Sequence, residues 1–104
     1  MLLPKLLSTE NQKIINRYGL DEQLLQMTEE CAELIQAANK YRRKKTDGNK
    51  ADLKKAEEDL KLEIADVIVV IDQIMERVNM TGEDLSMMAE YKIRRQLGRL
   101  STYV

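Results

Sequence analysis

Histidine, phenylalanine and tryptophan are missing altogether from the 104 residues, which include one cysteine, one proline and four glycines. Without histidine there is no imidazole general base, no Ser-His-Asp triad, none of the usual zinc sites and no Glu-x-x-His di-iron site. Any bound metal must then be hard and held by oxygen, which leaves magnesium, manganese or calcium. A single cysteine excludes an internal disulfide and fits a reducing cytosol. The opening MLLPKLL is too short for a signal peptide and has no small-residue cleavage site, and no apolar run approaches the length of a membrane span. The expected location is therefore the cytoplasm, with no membrane partner. A formal net charge of −1 also means that the chain as a whole is not built to bind polyanions.

What is present favours helix. Leu, Ala, Glu, Lys, Gln, Met and Arg dominate, and the length suits one domain over residues 1–104 with a modest core. A short first helix is expected after Ser8 or Thr9 as N-cap, packing Ile14, Ile15 and Tyr18 inward and stopping at Gly19. Asp21 can cap a second helix over about 22–45, whose core stripe reads Leu24, Met27, Cys31, Leu34, Ile35 and Ala38. The turn residues Thr46 to Asn49 separate it from a third helix over about 50–79. Thr81 can cap a last helix over about 82–98. No strand alternation or internal repeat is visible, so the fold expected is all-α, an antiparallel bundle of one short and three longer helices.

The chain is organised around LKLEIADVIVVIDQIM, Leu60 to Met75. At about 100° per residue, Leu60, Ile64, Val67, Ile71, Ile74 and Val78 fill one face. Glu63 falls inside that face and Asp66 at its border, while Leu62, Ala65 and Val69 make a second apolar side suited to a partner surface. A buried ionised carboxylate is costly unless something compensates it. A Lys or Arg from a neighbouring helix is one such partner. A second acidic cluster would call instead for a multivalent cation, because converging carboxylates repel one another. TEECAEL supplies that cluster as Glu29, Glu30 and Glu33. The helical wheel puts Glu30 and Glu33 on the inward side and turns Glu29 farther away, making Glu29 the more dispensable acid. Antiparallel packing of the second and third helices would bring Glu30 and Glu33 toward Glu63 and Asp66. Such a cage suits magnesium, which also takes waters and substrate phosphates as ligands, as in enzymes acting on nucleotides. A spare carboxylate could accept the proton of an attacking water.

The motifs Glu29-Glu30-x-x-Glu33 and Glu63-x-x-Asp66, in that order on two helices, resemble the MazG-like branch of the all-α nucleoside triphosphate pyrophosphohydrolases. YGLDEQLLQM ahead of the first motif and EYKIRRQLGRL near the C-terminus add to the likeness, which covers about residues 18–100. The resemblance implies magnesium-dependent hydrolysis of an NTP or dNTP between the α and β phosphates, releasing a monophosphate and pyrophosphate, with manganese as a possible substitute. It also implies Glu30, Glu33, Glu63 and Asp66 as metal ligands, with Glu29 either as an outer group or as one that helps to orient water. Lys92, Arg95 and Arg99, on one helical face, would hold the phosphates. Members of the family assemble as dimers or tetramers, so the bundle is expected to be completed by a homo-oligomer. The segment between the two motifs is long for the family and carries the basic run Arg42 to Lys45. Bases in the last turns of a helix complement its dipole, so this run is read that way and nucleic acid is not an expected partner. Cys31 reads as a small core residue. Base stacking would fall to Tyr18, Tyr41, Tyr91 or Tyr103, or to an aliphatic wall. The alternatives are a non-enzymatic helical oligomer whose acids are ion-paired, and a degenerate member that binds nucleotide without turnover.

Overall fold

The computed structural model describes residues 8–103, with side chains described for 9–100. They form four helices: α1 (Ser8–Arg17), α2 (Leu20–Asp47), α3 (Lys50–Arg77) and α4 (Gly82–Tyr103). The protein is all-α, and among the described residues there is no strand. No described helix is long and apolar enough to cross a membrane.

The local signals explain most of the boundaries. Asn49 caps α3 by accepting a hydrogen bond from the Asp52 backbone N–H at 2.8 Å. Thr81 and Asp84 form a reciprocal capping box at the start of α4. The Asp84 N–H donates to Thr81 Oγ1 at 3.0 Å, and the Thr81 N–H donates to Asp84 Oδ2 at 2.9 Å. α3 ends in a Schellman turn, with Met80 N–H on the Met75 carbonyl and Asn79 N–H on that of Glu76. Asn79 takes φ 56°, a left-handed conformation that Asn tolerates better than most residues. Two expected caps differ. Gly19, not Asp21, precedes α2, leaving Asp21 in the first turn where its charge suits the dipole. Thr9 lies inside α1, whose cap position is outside the described residues.

α2 and α3 pack as an antiparallel hairpin joined by Gly48 and Asn49. Gly48 is needed there because a Cβ would come within 2.9 Å of the Lys44 carbonyl oxygen. Gln23 meets Gln73 at one end and Lys44 meets Asp52 at the other, so facing residue numbers add to 96 along the hairpin. The seam follows a 3.5-residue repeat of alternating three- and four-residue steps. On α3 it runs through Ala56, Leu60, Glu63, Val67, Val70 and Ile74, all buried or half-buried, and on α2 through Gln23, Met27, Glu30, Leu34, Ala37 and Tyr41. This differs from the expected stripes. Ile64 and Val78 are about half exposed, as are Leu24 and, more so, Ile35, while Val70 takes the inward place. The apolar residues of α3 spread over two sides, so a wheel drawn at 100° per residue could not choose the seam that a tight two-helix contact selects.

α1 lies across α3 and is held by polar side chains. Of the three residues expected inward, only Ile15 is buried, and Ile14 and Tyr18 are exposed to 42% and 47%. Buried Asn11 donates to Asp72 and accepts from Gln73 Nε2 at 2.8 Å. The Arg77 guanidinium donates to the backbone carbonyls of Ile15 and Tyr18 at the frayed end of α1 and to Gln23 Oε1. α4 packs on none of the other three helices among the described residues. The radius of gyration is accordingly 17.0 Å, against ~13 Å for a compact chain of this length. Arg77→Met should release α1, costing about 1–3 kcal/mol for the stranded carbonyls. Hydrogen exchange should show α1 losing protection while α2 and α3 keep theirs; an unchanged α1 would contradict this role for Arg77.

Candidate metal centre

The hairpin register sets Glu30 level with Asp66 and Glu33 level with Glu63. One carboxylate oxygen from each of these four residues lies within 4.8 Å of the others. Glu30 and Glu63 sit on the seam and are half-buried, whereas Glu33 and Asp66 stand at its edge and are exposed. The expected inward pair on α2 is thus split: Glu30 is more inward than the wheel places it, and Glu33 less. Glu29 is exposed and is not part of the four-oxygen group, but it lines the neighbouring cleft.

Among the described residues no basic side chain quenches these acids. Ion pairs on α2 and α3 join Lys44 to Asp52, Lys55 to Asp59 and Lys61 to Glu57, and none among the described residues reaches Glu30, Glu33, Glu63 or Asp66. Gln26 Nε2 donates to Glu30 Oε1 at 2.8 Å, fixing one oxygen of that carboxylate. The other oxygen, Oε2, is shut off from solvent with no hydrogen-bond partner, and so is Glu63 Oε2. Buried acceptors are normally satisfied, so two orphans in one acidic cluster leave room for a cation or for a proton held between the carboxyls. The donor set fits a divalent cation of the magnesium class, being all oxygen and grouped about one point.

The electrostatics agree. The Glu30 carboxyl is pushed above its ordinary range by desolvation, then by the charges of Glu33 and Asp66, against a smaller lowering from Gln26. Glu63 is raised by desolvation, then by Glu33, Asp66 and Glu30.

Beside the acids opens a cleft of about 540 Å³. Its walls combine apolar Ile14, Tyr18, Leu25, Val69 and Val70 with the amides of Gln23, Gln26 and Gln73, and Glu29, Glu30 and Asp66 line it as well. Of the tyrosines considered for stacking, Tyr18 lines this cleft. Tyr41 is half-buried with Lys45 over its ring, Tyr91 is on α4 under Arg95, and the Tyr103 side chain lies outside the described residues. The expected phosphate-binding residues Lys92, Arg95 and Arg99 are exposed on α4, and none of them lines the cleft. The structure therefore gathers the four expected metal ligands but does not bring the α4 bases to them within one chain.

Sequence reasoning missed Gln26 as a support for Glu30, although its position four residues before that acid places it within reach on one helix face. It also missed the Asn11–Gln73–Gln23–Arg77 network, whose members are spread over three helices and carry no local signature. The chain matches no family model, no curated protein and no solved structure. The site therefore has to be read from its own geometry.

Metal-free protein should lose stability as pH rises through the raised range of Glu30 and Glu63. The fold holds those protons more tightly than the unfolded chain, whose carboxyls titrate near 4.5, so the folded state binds more protons in that window. Relative to a Glu30→Gln, Glu63→Gln double variant, the wild type should gain in melting temperature from pH 8 down to pH 5. Parallel profiles would contradict the cause given for the shifts.

Proposed function

We propose that this protein is a magnesium-dependent nucleoside triphosphate pyrophosphohydrolase, cleaving an NTP or dNTP between the α and β phosphates. The observation that carries this reading is the unquenched group of Glu30, Glu33, Glu63 and Asp66, with two orphaned buried oxygens, at the edge of a part-apolar cleft. Glu30, Glu33, Glu63 and Asp66 would hold magnesium, or manganese in its place. When bound, the ion would offset phosphate charge and lower the pKa of a coordinated water.

The chain's own residues do the rest. Tyr18, Leu25 and Val69 offer an apolar bed for a nucleoside, and the amides of Gln23, Gln26 and Gln73 offer hydrogen-bonding edges. Gln26 keeps Glu30 in position. The water oxygen forms a bond to the α phosphorus as the bond from that phosphorus to the bridging oxygen breaks, and pyrophosphate departs with the electron pair. A carboxylate not engaged as a ligand takes the water's proton, and Glu29, lining the cleft next to Glu30, is placed for this or for orienting the water.

We also propose that the active form is a homo-oligomer, a dimer or tetramer. The accessible surface of 8405 Å² exceeds the ~6,000 Å² expected of a compact monomer of this mass. Leu62 and Val69 on α3, Leu25 and Ile35 on α2, and Met88 and Ile93 on α4 are all exposed. In such an assembly α4 of one copy could bring Lys92, Arg95 and Arg99 to the phosphates in another. A non-enzymatic helical scaffold would share this surface but would have no use for four unpaired acids.

Incubation with each common NTP and dNTP, with and without magnesium, should release pyrophosphate only with the metal. Glu63→Gln should abolish release while keeping helicity, and Glu29→Gln should reduce it by about 100-fold, the low end of a general-base contribution. Orthophosphate alone would contradict the bond assignment. Neither product would favour the nucleotide-binding or scaffold alternatives, and sedimentation as a 12.1 kDa species would contradict the assembly.

A further inference from the structure

The cleft is not alone in opening onto the acidic group. On the other side of it lies a shallower recess lined by Glu33, Gln36, Ala37, Lys40, Asp59, Leu62 and Glu63. Two of the four acids therefore face the recess, while Glu30 and Asp66 face the cleft. A chain of phosphates that starts from a nucleoside in the cleft and runs along the hairpin past Glu30 and Asp66 reaches the recess at Glu33 and Glu63.

We infer that Lys40 binds the terminal phosphates there, and thus that substrate lies with its nucleoside toward Tyr18 and its pyrophosphate toward the turn between α2 and α3. The inference rests on the hydrolase reading for the direction of the substrate. Lys40 follows Glu33 by seven residues, two helical turns on the same side of α2 and about 10 Å along the axis. Side chains on a helix lean toward its N-terminus, so the Lys40 stem points back along α2 toward Glu33. Both side chains line the recess, so the open space there lies beside the ammonium as well as the carboxylate, and an anion can enter it. Lys40 makes no ion pair among the described residues. Asp59, the other acid in the recess, accepts from Lys55 at 3.2 Å, which lessens its repulsion of a phosphate. Gln36 adds an amide to the recess. No residue of α4 lines either opening, so within one chain Lys40 supplies a cation where Lys92, Arg95 and Arg99 do not reach. Negative charge grows on the departing pyrophosphate as the bond breaks. An ammonium at that end acts more strongly in the transition state than on bound substrate.

The test uses inorganic pyrophosphate with magnesium as the probe, titrated calorimetrically into the full-length protein and its Lys40→Met variant. The wild type should bind it, Lys40→Met about tenfold more weakly, and Lys40→Arg close to wild type, with melting temperatures unchanged. In turnover, Lys40→Met should weaken product inhibition by pyrophosphate and leave inhibition by the nucleoside monophosphate alone. Equal pyrophosphate affinity in wild type and Lys40→Met, or no binding by the wild type, would overturn the inference, and weakened monophosphate inhibition instead would reverse the direction of the substrate. Whether the wild type itself releases pyrophosphate from a triphosphate is a separate readout, which bears on the hydrolase reading and leaves the affinity comparison intact.

Discussion

Mutual repulsion among carboxylates is the constraint on which this molecule turns. Four acidic side chains converge at the middle of the α2–α3 hairpin, where two of them displace what would otherwise be apolar seam residues. Helices that met only to bury apolar surface would not place Glu30 and Glu63 on the shared seam with oxygens lacking any partner. The cluster opposes folding, and the elements around it supply the compensation. The hairpin turn at Gly48 and Asn49 fixes the register, and Val67 and Val70 pack just beyond the acids.

The polar network at the other end works toward the same result. Arg77 satisfies two carbonyls at the end of α1 and, with Asn11, Gln23 and Gln73, fastens three helices together. The fastening shapes the cleft, because α1 contributes Ile14 and Tyr18 to its wall. A helix of ten residues has little stability of its own, so the wall persists only while these side chains hold it. The cleft, the acids and the recess thus occupy successive levels of one hairpin, an order that gives the site a direction.

The sequence made the helix count and the four acids legible because both depend on local spacing. Glu63 and Asp66 stand out against LKLEIADVIVVIDQIM, and the short turn at Gly48 and Asn49 leaves α2 and α3 few ways to meet. The seam was less legible. Ile64 and Val70 are both apolar and both lie near the inward side, and the choice between them follows from contact with α2. The role of α1 was hidden for a different reason: Asn11, Gln73 and Arg77 look like ordinary surface residues until 60 or so intervening positions are folded away. The placement of α4 was not legible either. Its capping box and apolar content suggest a bundle helix, yet among the described residues of one chain it packs against no other helix. Its apolar residues, including Met88 and Ile93, are left open to solvent.

Crystals grown with manganese, examined by anomalous scattering at the metal's absorption edge, would test the central claim most directly. An anomalous peak is expected between α2 and α3, with oxygens of Glu30, Glu33, Glu63 and Asp66 about 2.1 Å from the ion or linked to it through water. An empty site, with each acid instead engaged by a Lys or Arg from a second copy, would contradict it.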